Sequence, residues 1–140
     1  MIINNLQTVK RDLVKYMEKI DNGTRRARDE MMTALIQLSK EEIQGQRPEG
    51  QKATTGEPPM NRTGNLRRSI TGYPAKVGFA TYSATVGPQM IYSRAVELGG
   101  SYAPRTWVNG ENFPYMAPAL KKFHSSGIAQ IALRKHLGGK

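Results

Sequence analysis

Residues 45–60, GQRPEGQKATTGEPPM, divide the chain more sharply than any other stretch. Three glycines, three prolines and almost no apolar side chain leave this run unable to bury enough surface to order itself, so it is expected to be a flexible loop. Before it the pattern is helical. Leu6, Val9, Leu13, Met17 and Ile20 fall three or four apart, which predicts a helix over 3–20. Asp21-Asn22-Gly23 reads as a turn, and Thr24 as the cap of a second helix with Asp29 and Glu30 early enough to complement its dipole. The stripe of that helix is Ala27, Met31, Ala34, Leu35 and Leu38, running out near Gln44. A single long helix kinked at Gly23 is the alternative.

Beyond the loop the pattern changes. Thr63 is placed to cap a short helix in which Leu66 and Ile70 face inward while Asn65, Arg67 and Arg68 stay wet. Gly64 is expected to allow a close backbone approach. Alternating residues from Tyr73 to Val86 predict a hairpin, ended by Gly87-Pro88. Tyr92, Ala95, Val96 and Gly99 have helical spacing, with Gly99 or Gly100 as the stop. A third extended piece is expected around Trp107-Val108, turned by Asn109-Gly110. Pro118 suits the first turn of a C-terminal helix whose face carries Leu120, Phe123, Gly127 and Ile131. The expectation is an α+β fold, with N-terminal helices and a C-terminal helix packed on a small antiparallel β-sheet. One domain is expected over residues 1–140, helical over 1–44, a loop over 45–60 and mixed over 61–140. There is no internal repeat.

Composition narrows the function classes. The chain has 140 residues, 38% of them apolar and 7% aromatic, which points to a thin core or to surface covered only against a partner. Its formal charge is +10, a balance that favours nucleic acid, acidic protein surfaces or lipid head groups. The charge is unevenly placed. Residues 1–44 carry eight Lys/Arg against seven Asp/Glu, and residues 45–140 carry thirteen against four. With no cysteine there is no disulfide framework and no thiolate chemistry, which fits a reducing compartment. No apolar run is long enough for a membrane helix, and MIINNLQTVKRDL lacks the features of a signal peptide, so a soluble protein made in a cytoplasm is expected.

Catalytic chemistry finds little support. The histidines, His124 and His136, have no carboxylate near them in sequence and read as surface residues, not as a zinc site. Ser69 and Ser93 lack a nucleophile elbow. After Gln44 the acids are Glu49, Glu57, Glu97 and Glu111, and nothing in the sequence brings Glu97 and Glu111 together as a pair. Phosphate binding at Thr63-Gly64, aided by Arg62, Arg67 and Arg68, is the serious rival for PPMNRTGNLRRSI. It lacks the GK[ST] ending of a phosphate-binding loop and a preceding strand, and a structural joint explains the stretch with fewer assumptions. No catalytic residue, no cofactor and no metal ligand is assigned.

Three blocks carry a resemblance. Pro59 through Ile70 is similar to a proline followed by Thr-Gly-x-Leu-x-x-Ser-Ile. Tyr92 through Gly99 is similar to Tyr-Ala-x-x-Val-Glu-aromatic-Gly, and Pro114 through Leu120 to Pro-Phe-Leu-Arg-Pro-Ala-Leu. In order and spacing they resemble the neck, or head-tail joining, proteins of long-tailed bacteriophages, similar to tail-completion proteins. Ala95 and Leu98 depart at positions that are often aromatic, and Ala117 stands where arginine is usual. The resemblance implies a non-enzymatic virion subunit, six copies in a ring around the DNA channel, between the head-closing connector and the tail terminator or tail tube. It also implies assembly in the host cytoplasm, possible non-specific contact with channel DNA, and no membrane partner. The residues implied to shape or mate subunits are Thr63, Gly64, Leu66, Arg67, Arg68, Tyr92, Arg94, Glu97, Gly99, Pro114, Tyr115 and Pro118. Glu97 is expected to pair either with an arginine of the adjacent subunit or locally with Arg94. The alternative is a small basic nucleic-acid-binding protein of a mobile element, and a weaker third is a phosphodiester-processing enzyme.

Overall fold

The computed structural model describes residues 2–43, 56, 59, 64–99 and 113–138. It is an α+β arrangement in which helices pack against a two-stranded antiparallel sheet. The elements in order are α1 (Ile2–Glu42), α2 (Asn65–Ser69), β1 (Ile70–Gly78), β2 (Thr81–Pro88), α3 (Ser93–Leu98), α4 (Met116–Ser125) and α5 (Ile128–Leu137). The expected loop, the Thr63 cap and the strand around Trp107-Val108 lie outside the described residues, apart from Gly56 and Pro59 in the loop.

The first 41 residues of regular structure form one continuous helix, so the turn expected at Asp21-Asn22-Gly23 does not form. All three signals that suggested it serve helix contacts instead. Asp21 accepts from Lys76 Nζ at 3.0 Å and from the Ala80 N–H at 2.9 Å, both on the hairpin. Gly23 lies against the end of α5, where an added Cβ would meet the His136 carbonyl oxygen at 2.6 Å. Thr24 caps nothing, and its hydroxyl donates to the Ile20 carbonyl one turn back, at 2.9 Å. Tertiary contact thus overrides local turn chemistry.

The stripe of α1 is covered along only part of its length. Ala27 is fully buried, and Met31, Ala34, Leu35 and Leu38 are half-buried. Every residue from Asn5 to Lys19 is exposed, including Leu6, Val9, Leu13 and Met17, which the periodicity placed on one helix face. This half of α1 projects past the rest of the described molecule.

The hairpin begins earlier and ends later than expected, pairing Ile70 with Pro88 and Tyr73 with Thr85, with an irregularity between Lys76 and Gly78. Alternation puts Gly72 and Lys76 on the face toward α1. A Cβ on Gly72 would strike Met32 at 2.6 Å, so a glycine here lets strand and helix backbones approach. Arg28 of α1 donates to the carbonyls of Ala75 and Ser83, each at 3.2 Å, and lies over the Tyr82 ring. One guanidinium therefore clasps both strands. At the turn, Ala80 has φ 47°, a conformation costly for a residue with a Cβ, and the Asp21 carboxylate holds its N–H in place.

The expected single C-terminal helix is two. Gly127, with φ 67°, breaks it between α4 and α5. Its predicted face is covered only in part, at Phe123 and Gly127, which are half-buried. Leu120 and Ile131 are exposed, whereas Ala119 and Ala132 are fully buried, the small residues that bring α4 and α5 close to their neighbours. Helix α5 returns along α1, tied by Glu30, which accepts from Lys135 Nζ at 3.0 Å and lies 2.7 Å from His136 Nε2. His136 is thus a part-buried pairing residue and not a simple surface one. Lys122 of α4 forms a close ion pair with Glu42, a nearly buried carboxylate near the end of α1.

Candidate functional site

The centre of the molecule is a small apolar cluster of Ile43, Ile70 and Tyr115, flanked by Ile36, Leu66, Val86, Val96 and Met116. Each sequence block of interest supplies part of it. Leu66 and Ile70 come from the first, Val96 from the second, Tyr115 and Met116 from the third. Segments that are far apart in the chain meet here because each places an apolar residue beside a backbone corner.

Helix α3 presents Val96 to this cluster and leaves Glu97, next along, pointing at the start of α4. Glu97 Oε2 accepts the N–H groups of Tyr115 and Met116 at 2.8 and 3.0 Å, and Oε1 accepts that of Ala117 at 3.0 Å. The next residue is Pro118, which has no N–H. A helix start leaves its first backbone donors without intrahelical acceptors; in α4 three go to one carboxylate and the following position is a proline. Negative charge at that end also opposes the positive end of the helix dipole. Glu97 therefore works within its own chain, ahead of any arginine partner expected for it. Beside it, the Phe113 N–H donates to the Val96 carbonyl at 2.7 Å. This bond fixes how the chain enters at Pro114, which is half-buried.

Two glycines set the corners. Gly99 ends α3 with φ 58° and ψ −153°, its N–H donating to the Ala95 carbonyl at 2.8 Å; this region of backbone space is essentially closed to other residues. Gly64 precedes α2 with φ 75°. Among the described residues Gly64 makes no close approach, the nearest atoms to an added Cβ being those of the Arg68 guanidinium, at an ordinary 3.5 Å. Its value is the left-handed conformation.

Tyr115 is fully buried. Burial, with the Glu97 charge adding to it, pushes its hydroxyl well above the usual tyrosine range, so it stays protonated. The hydroxyl lies beside Ser93 but completes no well-formed hydrogen bond among the described residues. Tyr92 starts α3 and is half-buried; Arg94 is exposed on the same helix. Of the expected arginines on α2, Arg68 donates to Asn65 Oδ1 at 2.8 Å, and Arg67 is exposed. Helix α2 is a single turn of five residues, too short to offer a phosphate a developed dipole.

Sequence reasoning missed the polar clamps along α1. Asp21, Arg28, Glu30, Glu42 and Lys122 bind partners far along the chain; Arg28 reaches carbonyls 47 and 55 residues away. No local pattern could have signalled them. The Ala80 N–H, then Tyr82 and Lys76, hold the Asp21 carboxyl below its ordinary range; Lys135, then His136, do the same for Glu30. Among the described residues no three His, Asp or Glu side chains gather as a metal site, and no helix is long and apolar enough to cross a membrane.

This arrangement aligns backbone segments and holds one carboxylate on peptide donors. Comparison of the chain with family models, with curated proteins and with solved structures finds no match, so a functional reading stands on the three blocks and the joint they build.

Proposed function

We propose that this chain is a structural subunit of the neck of a long-tailed bacteriophage virion. In this reading copies form a ring, six by resemblance, that joins the head-closing connector to the tail terminator or tail tube around the DNA channel. The observation that carries it is the convergence of the three blocks on one cluster. Leu66, Ile70, Val96, Tyr115 and Met116 pack together, and Glu97, the most conspicuous acid of the second half, is spent on three backbone N–H groups. Residues so used build a scaffold, and among the described residues Glu97 is not left free at the joint. The long exposed apolar stripe of α1 supports the same reading, since an assembly subunit keeps surface for its neighbours.

The test is deletion of the gene from the phage that encodes it. The expected result is filled heads and finished tails that stay unjoined, with joining restored by added purified protein. Normal particles without the protein would overturn the proposal. Tight DNA binding with a steep salt dependence, without binding to connector or tail subunits, would instead favour the basic nucleic-acid-binding alternative.

A further inference from the structure

Two bare surfaces in this chain are made for each other. The first is the projecting half of α1, where Leu6, Val9, Leu13, Tyr16 and Met17 are 69, 66, 57, 61 and 41% exposed. They continue the helix face that Ala27, Met31, Leu35 and Leu38 present to the body, so the stripe runs on after its cover stops. Helix α5 ends opposite Gly23, and nothing described lies above it. The second is the hairpin face turned away from α1. Its pleat carries Tyr73 and Ala75 from β1, paired with Thr85 and Ser83 from β2, and Val77 follows unpaired at the irregularity between Lys76 and Gly78. All five are exposed and none is charged, in a chain that is 23% charged.

We infer that the projecting half of α1 from one copy docks across the outer hairpin face of a second copy. The helix segment fits within the hairpin, since the 15 residues from Asn5 to Lys19 span about 22 Å as helix and the nine residues of β1 span about 30 Å as strand. The chemistry agrees too, because an uncharged pleated face accepts an apolar helix without stranding an ion. The hairpin gains as well. A two-stranded sheet is marginal by itself, and the docked helix gives its second face the same kind of cover that α1 gives the first. The contact is forced between copies. A continuous helix that already lies on the inner face of its own hairpin cannot double back to reach the outer one. Passed head to tail, this contact propagates from copy to copy and closes as a ring or continues as a filament, whereas returned between two copies it closes a pair. The inference deepens the neck reading by naming the surfaces through which copies meet, and takes from it that the partner is a second copy.

The chain has no cysteine, so single cysteines report this contact without background. Leu13→Cys and Val77→Cys proteins, purified separately, mixed and mildly oxidised, are expected to give a disulfide-linked pair containing one of each. The doubly substituted protein is expected to give a ladder of multimers. Glu18→Cys, on the far side of α1, should not link to Val77→Cys. Leu13→Asp should weaken self-association at least about thirtyfold, the scale of an interface hot spot, with helix content by circular dichroism unchanged. Linkage of Leu13→Cys only to itself, or unchanged association of Leu13→Asp, would overturn the inference. Phage carrying Leu13→Asp that assemble normal necks would also overturn it while leaving the neck reading standing. A Leu13–Val77 link in a protein whose deletion leaves particles normal would sustain the contact and sink the neck reading.

Discussion

Glu97 and Tyr115 are 18 residues apart in sequence and 2.8 Å apart in space, the carboxylate of one accepting the backbone N–H of the other. The bond joins the end of α3 to the start of α4 and, with the Met116 and Ala117 bonds, makes one side chain responsible for where α4 begins. Replacing Glu97 by alanine would leave three donors to find water at a largely covered corner. Hydrogen bonds to a charged group contribute about 1.5–3 kcal/mol each at most and do not add fully. Glu97→Ala is therefore expected to lower stability by about 2–4 kcal/mol. Glu97→Gln, which keeps one carbonyl acceptor, should lose about half as much. Urea denaturation of the three proteins checks the order, and equal stability of Glu97→Ala and the parent would show that the cap is unimportant.

Two backbone positions should respond to substitution in opposite directions. Ala80 sits at φ 47°, so Ala80→Gly relieves strain at the hairpin tip, offset by the added freedom of the unfolded chain; a gain of up to about 1 kcal/mol is expected. Gly99 at φ 58° and ψ −153° has no comparable latitude, and Gly99→Ala is expected to cost at least about 1–3 kcal/mol. Thermal melts of the pair would contradict this if both moved the same way.

Gly23 offers a test of packing against propensity. In an isolated helix alanine is better than glycine by about 1 kcal/mol. Here a Cβ would press on the His136 carbonyl and on Leu137, so Gly23→Ala is expected to destabilise despite its better propensity. Hydrogen exchange should localise the effect to α5 and the facing turns of α1, with the projecting half of α1 unaffected.

Acid should loosen the α1–α5 seam. Glu30 is held below its ordinary value of 4.5 by Lys135 and then His136. A carboxylate whose folded pKa is depressed contributes stability above its unfolded value and loses it as pH falls through the folded one. Stability is thus expected to decline below about pH 4.5, with Asp21 acting in the same sense at the hairpin tip. Glu30→Gln should be less stable at neutral pH and show a shallower decline in acid. A variant whose melting temperature tracks the parent at every pH would exclude the ion cluster as a contributor.

Much of this architecture is legible in the residues, for stated reasons. Three-and-four spacing located α1, alternation located the hairpin, and Gly99 marked the end of α3. Where the reading failed, non-local contacts had outbid local ones. Asp21-Asn22-Gly23 is a good turn sequence, yet the hairpin takes the aspartate and α5 takes the glycine. Gly127 sat at a helical spacing and broke the helix instead. Glu97 offered a local arginine at i−3, and its real partners are peptide groups 18 to 20 residues on. The stripe of α1 predicted the helix correctly, but amphipathicity does not state whether the cover comes from the same chain.

The seam between the first helix and the last also dictates when this protein can fold. His136 meets Glu30 across 106 residues of sequence, so during synthesis α1 leaves the ribosome long before α5 exists to lie beside it. Loop closure over such a separation is slow, and meanwhile the apolar flank of the nascent helix stands open. A chain cut short before α5 would carry its hairpin and still not close its body. The maturing chain thus becomes competent only once α5 has been made.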